Sequence, residues 1–269
     1  MRTKYQDVDG KIEALRERFC KRPELLTEFQ QRLDFSWIYH DNALEGVVLS
    51  YHEIKASIDK NIISDVSLIP TYTEIKNYKN AIDFIRDTIN RRRPGGNFGH
   101  DFMKDIFLIL SEEEVQPRNS KAARNSANAQ PGQYRKDNPL HRLYFHEISS
   151  PDKIAYRVRK LVEWLSSEEA VRTHPIKRAA KAHMRFISIY PWPRHSGKIA
   201  RLLMNSILLK DGYLPAIIHS IERQRYYEVL RTPHLGLTTL ISESIDSTIE
   251  AANRFLDEME DRPPLRVAS

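Results

Sequence analysis

The stretch Ile189–Asn205, IYPWPRHSGKIARLLMN, decides how this chain is read. Arg194, His195, Lys198 and Arg201 fall within eight residues that include Ser196 and Gly197 but no acid. Pro191 and Pro193 stop the helical pattern ahead of them, because proline lacks an amide donor and its ring disfavours the preceding turn. Behind them Ile199, Leu202, Leu203, Ile207 and Leu208 recur at helical intervals up to Gly212, a C-terminal cap signal. The loop therefore ends at a helix amino terminus, where unpaired amides and the helix dipole attract an anion. Ser196 can cap that helix, and Gly197 lets a ligand come close to the backbone. Lys198 adds a point charge and Arg201 a fork suited to phosphate. A phosphate site is one reading of these residues; a solvated helix start is the other.

Working outward, helical periodicity dominates. Ile12, Leu15 and Phe19 form one apolar stripe; Leu25, Leu26, Phe29, Leu33, Trp37 and Ile38 form a second across Glu24–Tyr39. Further stripes run from Ile75 to Ile85, Phe102 to Leu110, Ile154 to Leu165, Ile176 to Ile187, Ile221 to Leu230 and Leu237 to Leu256. Residues 117–139 are rich in Asn, Ser, Ala and Pro and read as a loop or flap, followed by a short aromatic segment that suits a strand of a small hairpin. The 269 residues suit one helical domain with a small appendage, or two closely packed units. Net charge is +6, but acids and bases alternate nearly everywhere, as on ordinary solvated helices. A single cysteine, Cys20, excludes an internal disulfide, and no apolar run is long enough to span a bilayer; a cytoplasmic protein with no membrane partner is expected. The arginine-rich run at 86–93 lacks interleaved aromatics, which argues against nucleic acid. No metal-ligand spacing is present.

The segment YPWPRHSGKIAR (190–201) resembles the Fic (Fido, Fic/Doc) signature HPFxxGNGRxxR without a gap. PGQYR at 131–135 resembles the lead into that family's target-docking flap, VEWL at 162–165 its following helix and RQRYYEVLR at 223–231 its last core helix. DNALEGVVLSYHEI at 41–54 is similar to the inhibitory-helix motif (S/T)xxxE(G/N). The resemblance implies an all-α Fic-fold bundle with a β-hairpin flap near 133–147, where a target protein would dock. It divides the chain into an N-terminal helical extension (1–34), a Fic-like core (35–231) and a C-terminal helical extension (232–269), the extensions serving packing or homodimerisation.

The resemblance also implies transfer of AMP, or another phosphate-containing group, onto a protein hydroxyl. In such proteins the motif histidine is the base, an acid holds magnesium, and the arginines cradle phosphate. This chain departs from the pattern. Tyr190 stands at the histidine, and a phenol ionising near pH 10 is a poor base at neutral pH. Arg194 stands at the magnesium acid, His195 at the first glycine, Ser196 at the asparagine and Lys198 at the first arginine; Gly197 and Arg201 are kept.

The expectation is therefore a protein that binds a phosphate-bearing ligand or nucleotide through Arg194, Ser196, Gly197, Lys198 and Arg201. ATP is a candidate, the changed loop argues against magnesium, and standard AMP transfer is not expected. Two alternatives stay open: a transferase with altered chemistry using Tyr190 or His195, and a protein-interaction scaffold without catalysis. Glu45, at the inhibitory glutamate, is expected to pair with Arg201 and compete with a ligand phosphate.

Overall fold

The structure is a computed structural model, and it describes residues 4–58, 69–91, 98–112, 132–139, 147–231 and 236–260. Among the described residues every regular element is helical: α1 (Lys4–Lys21), α2 (Leu25–Leu44), α3 (Tyr51–Ile58), α4 (Ile69–Asn90), α5 (His100–Leu110), α6 (Ile154–Leu165), α7 (Glu168–Arg172), α8 (Pro175–Ile189), α9 (Ser196–Lys210), α10 (Arg223–Arg231) and α11 (Gly236–Glu260), with 3-10 turns at Pro151–Lys153 and Ser220–Glu222. Of the hairpin expected near 133–147, residues 133–139 and 147 are described and have no strand pairing, while 140–146 lie outside the described residues.

The centre of the bundle is α9. Every residue from Ser196 to Leu208 is buried, and Ile199, Leu202, Leu203, Met204, Ile207 and Leu208 have no exposed surface. Each such side chain contributes roughly 1.5–3 kcal/mol of transfer free energy on burial. A helix buried on every side must be surrounded, and α8, α4 and α5 pack around it. The loop between α8 and α9 is thereby held between two buried helices. Gly212, at a φ of +81°, turns the chain out of α9 in a conformation open to glycine.

Two boundaries differ from the periodicity. α2 continues to Leu44, well past Ile38, the last apolar position of its stripe, because Asp41, Asn42 and Leu44 are buried against other elements instead of facing solvent. This extension brings Asp41 and Glu45 to the site. It also means that residues 34 and 35, the sequence-based domain boundary, lie within one continuous helix. At the ends of the described chain, α1 packs beside α11 through Lys11–Asp246 at 2.8 Å and Arg18–Asp257 at 2.6 Å.

Candidate functional site

The α8–α9 loop is bracketed by two residues in left-handed conformation, Tyr190 (φ 49°) and His195 (φ 60°). Such angles are uncommon for residues other than glycine and are held here by surrounding contacts. Tyr190 closes α8, its amide bonded to Phe186 O at 2.9 Å. Trp192 is 1% exposed and stacks on Phe107 with centroids 4.8 Å apart, and its indole donates to Gly132 O at 3.2 Å. Ser196 does not cap α9: it is the first helical residue, its hydroxyl donates to Trp192 O at 2.8 Å and accepts from Trp192 N at 3.0 Å, and the cap position belongs to His195. The serine is spent inside the loop because the tight turn through Pro193 brings the Trp192 backbone within its reach.

Arg135 fastens this loop from outside. Its Nε donates to Tyr190 O at 2.7 Å, one Nη2 proton goes to Ser149 O, and its backbone amide bonds to Pro191 O at 2.9 Å. Burial pushes its pKa down against an opposing effect of Tyr190, while Asp137 O and Asn138 Oδ1 take further donors of the guanidinium.

The basic residues of α9 face the end of α2. Lys198 is 3% exposed; its ammonium donates to Asn42 Oδ1 at 2.8 Å and to Glu74 Oε1. Arg201 is 2% exposed, with Nε 2.5 Å from Asp41 Oδ1, Nη2 3.0 Å from Asp41 Oδ2 and 2.9 Å from Glu45 Oε1, and Nη1 3.4 Å from the Tyr226 hydroxyl. Burial lowers its pKa, but Asp41 first, then Tyr226 and Glu45, outweigh that and raise it well above its ordinary value. Tyr226 in turn lies 3.0 Å from His183 Nε2, and burial raises its phenol so that the hydroxyl stays protonated. Glu45 covers Gly197: a Cβ there would sit 2.5 Å from Glu45 Oε1. The expected Glu45–Arg201 pair is therefore present, and the carboxylate rests where an anion would approach the helix amino terminus. Counting the paired groups, Arg201 and Lys198 meet Asp41, Glu45 and Glu74, three acids against two bases.

Residues 109–208 match the family model described as Fic/DOC family. The chain carries a Fic/DOC family domain. Most of its length is similar to curated relatives as well. It is 22% identical to the protein adenylyltransferase Fic of Drosophila persimilis over 97% of this chain and 48% of that protein. It is 27% identical to that of Aedes aegypti over 74% of this chain and 37% of that protein. The chain spans about half the length of the curated relatives it matches. Among solved structures, a Fic domain containing signaling protein from Bacteroides thetaiotaomicron superposes with a TM-score of 0.74 at 20% identity, covering 92% of this chain and 98% of that one. A fragment of Fic-1 from C. elegans gives 0.67 at 18% identity, over 92% of this chain and 71% of that one. These likenesses show the fold.

Within the Fic domain the remaining sequence candidates are scattered in environment. Tyr190 is 1% exposed and part of the apolar core, His195 is half-buried near Phe107, and Arg194 is exposed. Among the described residues no cluster of three or more acids, histidines or cysteines able to hold a metal occurs, and the loop carries the exposed Arg194. No described helix is long and apolar enough to cross a membrane. His141, Tyr144, Phe145 and His146, in the aromatic segment of the expected flap, lie outside the described residues. Three residues that sequence reasoning missed now belong to the site. Asn42 and Glu74 hold Lys198, and Arg135 holds the loop. For Arg135 a signal existed in PGQYR, which was read only as the approach to the flap.

Proposed function

We propose that this Fic domain does not perform standard magnesium-dependent AMP transfer, and that it binds a phosphate-bearing ligand, ATP or another nucleotide, at the start of α9 once Glu45 withdraws from Gly197. The observation that supports the reading is the seat of the Glu45 carboxylate, on Arg201 at 2.9 Å and over Gly197, where an anion drawn to the helix amino terminus would approach. Two further observations support the absence of standard transfer. A phenol replaces the base and its ring is enclosed in the core; an exposed arginine replaces the metal-binding acid. The same enclosure weighs against Tyr190 as a base for an incoming hydroxyl and leaves His195 as the proton carrier of any altered reaction.

A protein partner belongs to this reading, since the relatives are named protein adenylyltransferases and the segment near 133–147 is where the family resemblance puts the target. So does a cytoplasmic setting, which suits the free, exposed Cys20. Titration calorimetry with ATP, ADP and inorganic phosphate, with and without magnesium, tests the ligand, and labelled ATP with a cell lysate tests the transfer. Weak, magnesium-independent binding without labelling is expected. Robust labelling by the native chain ends the reading, and no binding of any phosphate compound replaces it with the interaction scaffold.

A further inference from the structure

Arg201 is gripped by two carboxylates that differ in geometry, burial and backbone support. Asp41 takes Nε at 2.5 Å and Nη2 at 3.0 Å, the two-pronged arrangement that a phosphate would also use. Glu45 meets Nη2 at 2.9 Å. The Asp41 side chain is 4% exposed and that of Glu45 19%. Asp41 lies inside α2, whose last carbonyl, Leu44 O, accepts from Arg223 Nε at 3.0 Å and from the Tyr227 hydroxyl at 3.1 Å. Asn42, next along the same helix, is tied to Lys198. Glu45 sits at the helix end, followed by Gly46 at a φ of +92°, where the chain leaves α2. Glu45, the more exposed of the two and at the end of α2, has room to rotate off the site, whereas Asp41 is 4% exposed and enclosed within the helix packing.

Resting on the function proposed above, we propose that Asp41 is the positioning residue that withholds Arg201 from phosphate, and that Glu45 guards only the approach over Gly197. The charges agree. With Glu45 gone, Arg201 and Lys198 still face Asp41 and Glu74, two bases against two acids, so an incoming anion meets a neutral cluster and an arginine whose fork is already filled. Only removal of Asp41 as well leaves a net positive charge and a free fork.

The test uses the full chain in four forms: native, Glu45→Gly, Asp41→Ser and the double variant. ATP and inorganic phosphate affinities are measured without magnesium, and the Nε–H resonance of Arg201 is followed by nitrogen-15 NMR. Glu45→Gly is expected to tighten ATP by no more than about tenfold and to leave the resonance in place; the double variant is expected to tighten it by on the order of a hundredfold and to move the resonance to the position of a solvent-exposed arginine. The assignment is overturned if Glu45→Gly alone reaches the affinity of the double variant, or if the resonance moves in Glu45→Gly and stays in Asp41→Ser. Where Asp41→Ser does not fold, Asp41→Asn keeps the volume and the same resonance decides. AMP labelling by the double variant ends the proposal that the domain lacks standard transfer and leaves the Asp41 assignment standing. If no variant binds ATP or phosphate while the resonance moves only in the Asp41 variants, the ligand reading fails and what remains of the assignment is that Asp41, and not Glu45, holds Arg201.

Discussion

Arg135 and Arg201 are buried to 5% and 2% exposure, and their donors go to opposite kinds of partner. Arg135 meets backbone carbonyls, those of Tyr190, Ile189, Ser149 and Asp137, and fixes the shape of a loop. Arg201 meets the carboxylates of Asp41 and Glu45 and fixes the charge of a site. Burial depresses the pKa of the first, while for the second the acids outweigh burial and raise it. The difference teaches that the architecture of a Fic loop and its chemistry are kept by separate arginines, so substitution of one need not disturb the other.

The strongest break of this comparison is Arg201→Ala. It leaves Asp41, 4% exposed, as an uncompensated buried charge, and a loss of about 3–5 kcal/mol in chemical denaturation is expected. Adding Asp41→Ser should return much of it, the two changes coupling by about 1–3 kcal/mol. Additive losses would show that the pair does not hold the site together. Next comes Arg135→Ala, with an expected loss of about 2 kcal/mol as the carbonyls of Tyr190 and Ser149 lose their donor. Here no acid substitution should compensate, and recovery by Asp41→Ser would erase the distinction between the two arginines.

A third basic side chain sharpens the contrast. His40 stacks on His219 at 4.2 Å, accepts the Ser220 amide on Nδ1 at 3.1 Å, and is pushed down to about 4 by burial and by His219. Its folded pKa lies below its unfolded value of 6.5, so the unfolded chain takes the proton first. Stability should therefore fall as pH drops from about 6.5 to about 4, by about 1–2 kcal/mol after allowance for solvent screening. His40→Asn, which keeps an acceptor for Ser220, should flatten that slope; an unchanged slope assigns it to other groups. The smallest effect has the opposite sign. His195→Gly relieves the left-handed backbone at φ 60° and should stabilise the fold by about 0.5 kcal/mol, measurable as a rise in melting temperature.

The helices were legible because burial repeats along them: α9 shows its apolar positions at every turn, and α11 likewise from Leu237 to Leu256. The left-handed cap at His195 was legible only through resemblance, since a glycine is usual there and histidine itself carries no such signal. The partners of Lys198 and Arg201 were not legible from spacing. Asn42 and Glu74 lie 156 and 124 residues away, and their meeting depends on how α2 and α4 pack on α9. Asp41 was visible as a departure from Ser or Thr, but its role as a partner needed the stretch of α2 that periodicity did not extend to. The cluster of bases without a nearby acid in sequence is, in space, a cluster with three acids.

The seam between α1 and α11 carries a consequence for how the chain is made. Lys11 bonds to Asp246, and Arg18 to Asn253 and Asp257, so residue numbers rise together and the two helices run in the same direction. The partners are separated by 235 residues or more. At ribosomal rates, on the order of ten to forty seconds pass between the emergence of α1 and that of α11. Through that interval Val8, Ile12 and Leu15, buried in the finished fold, lack the helix that packs beside them, so the apolar stripe of α1 stays uncovered until α11 is made.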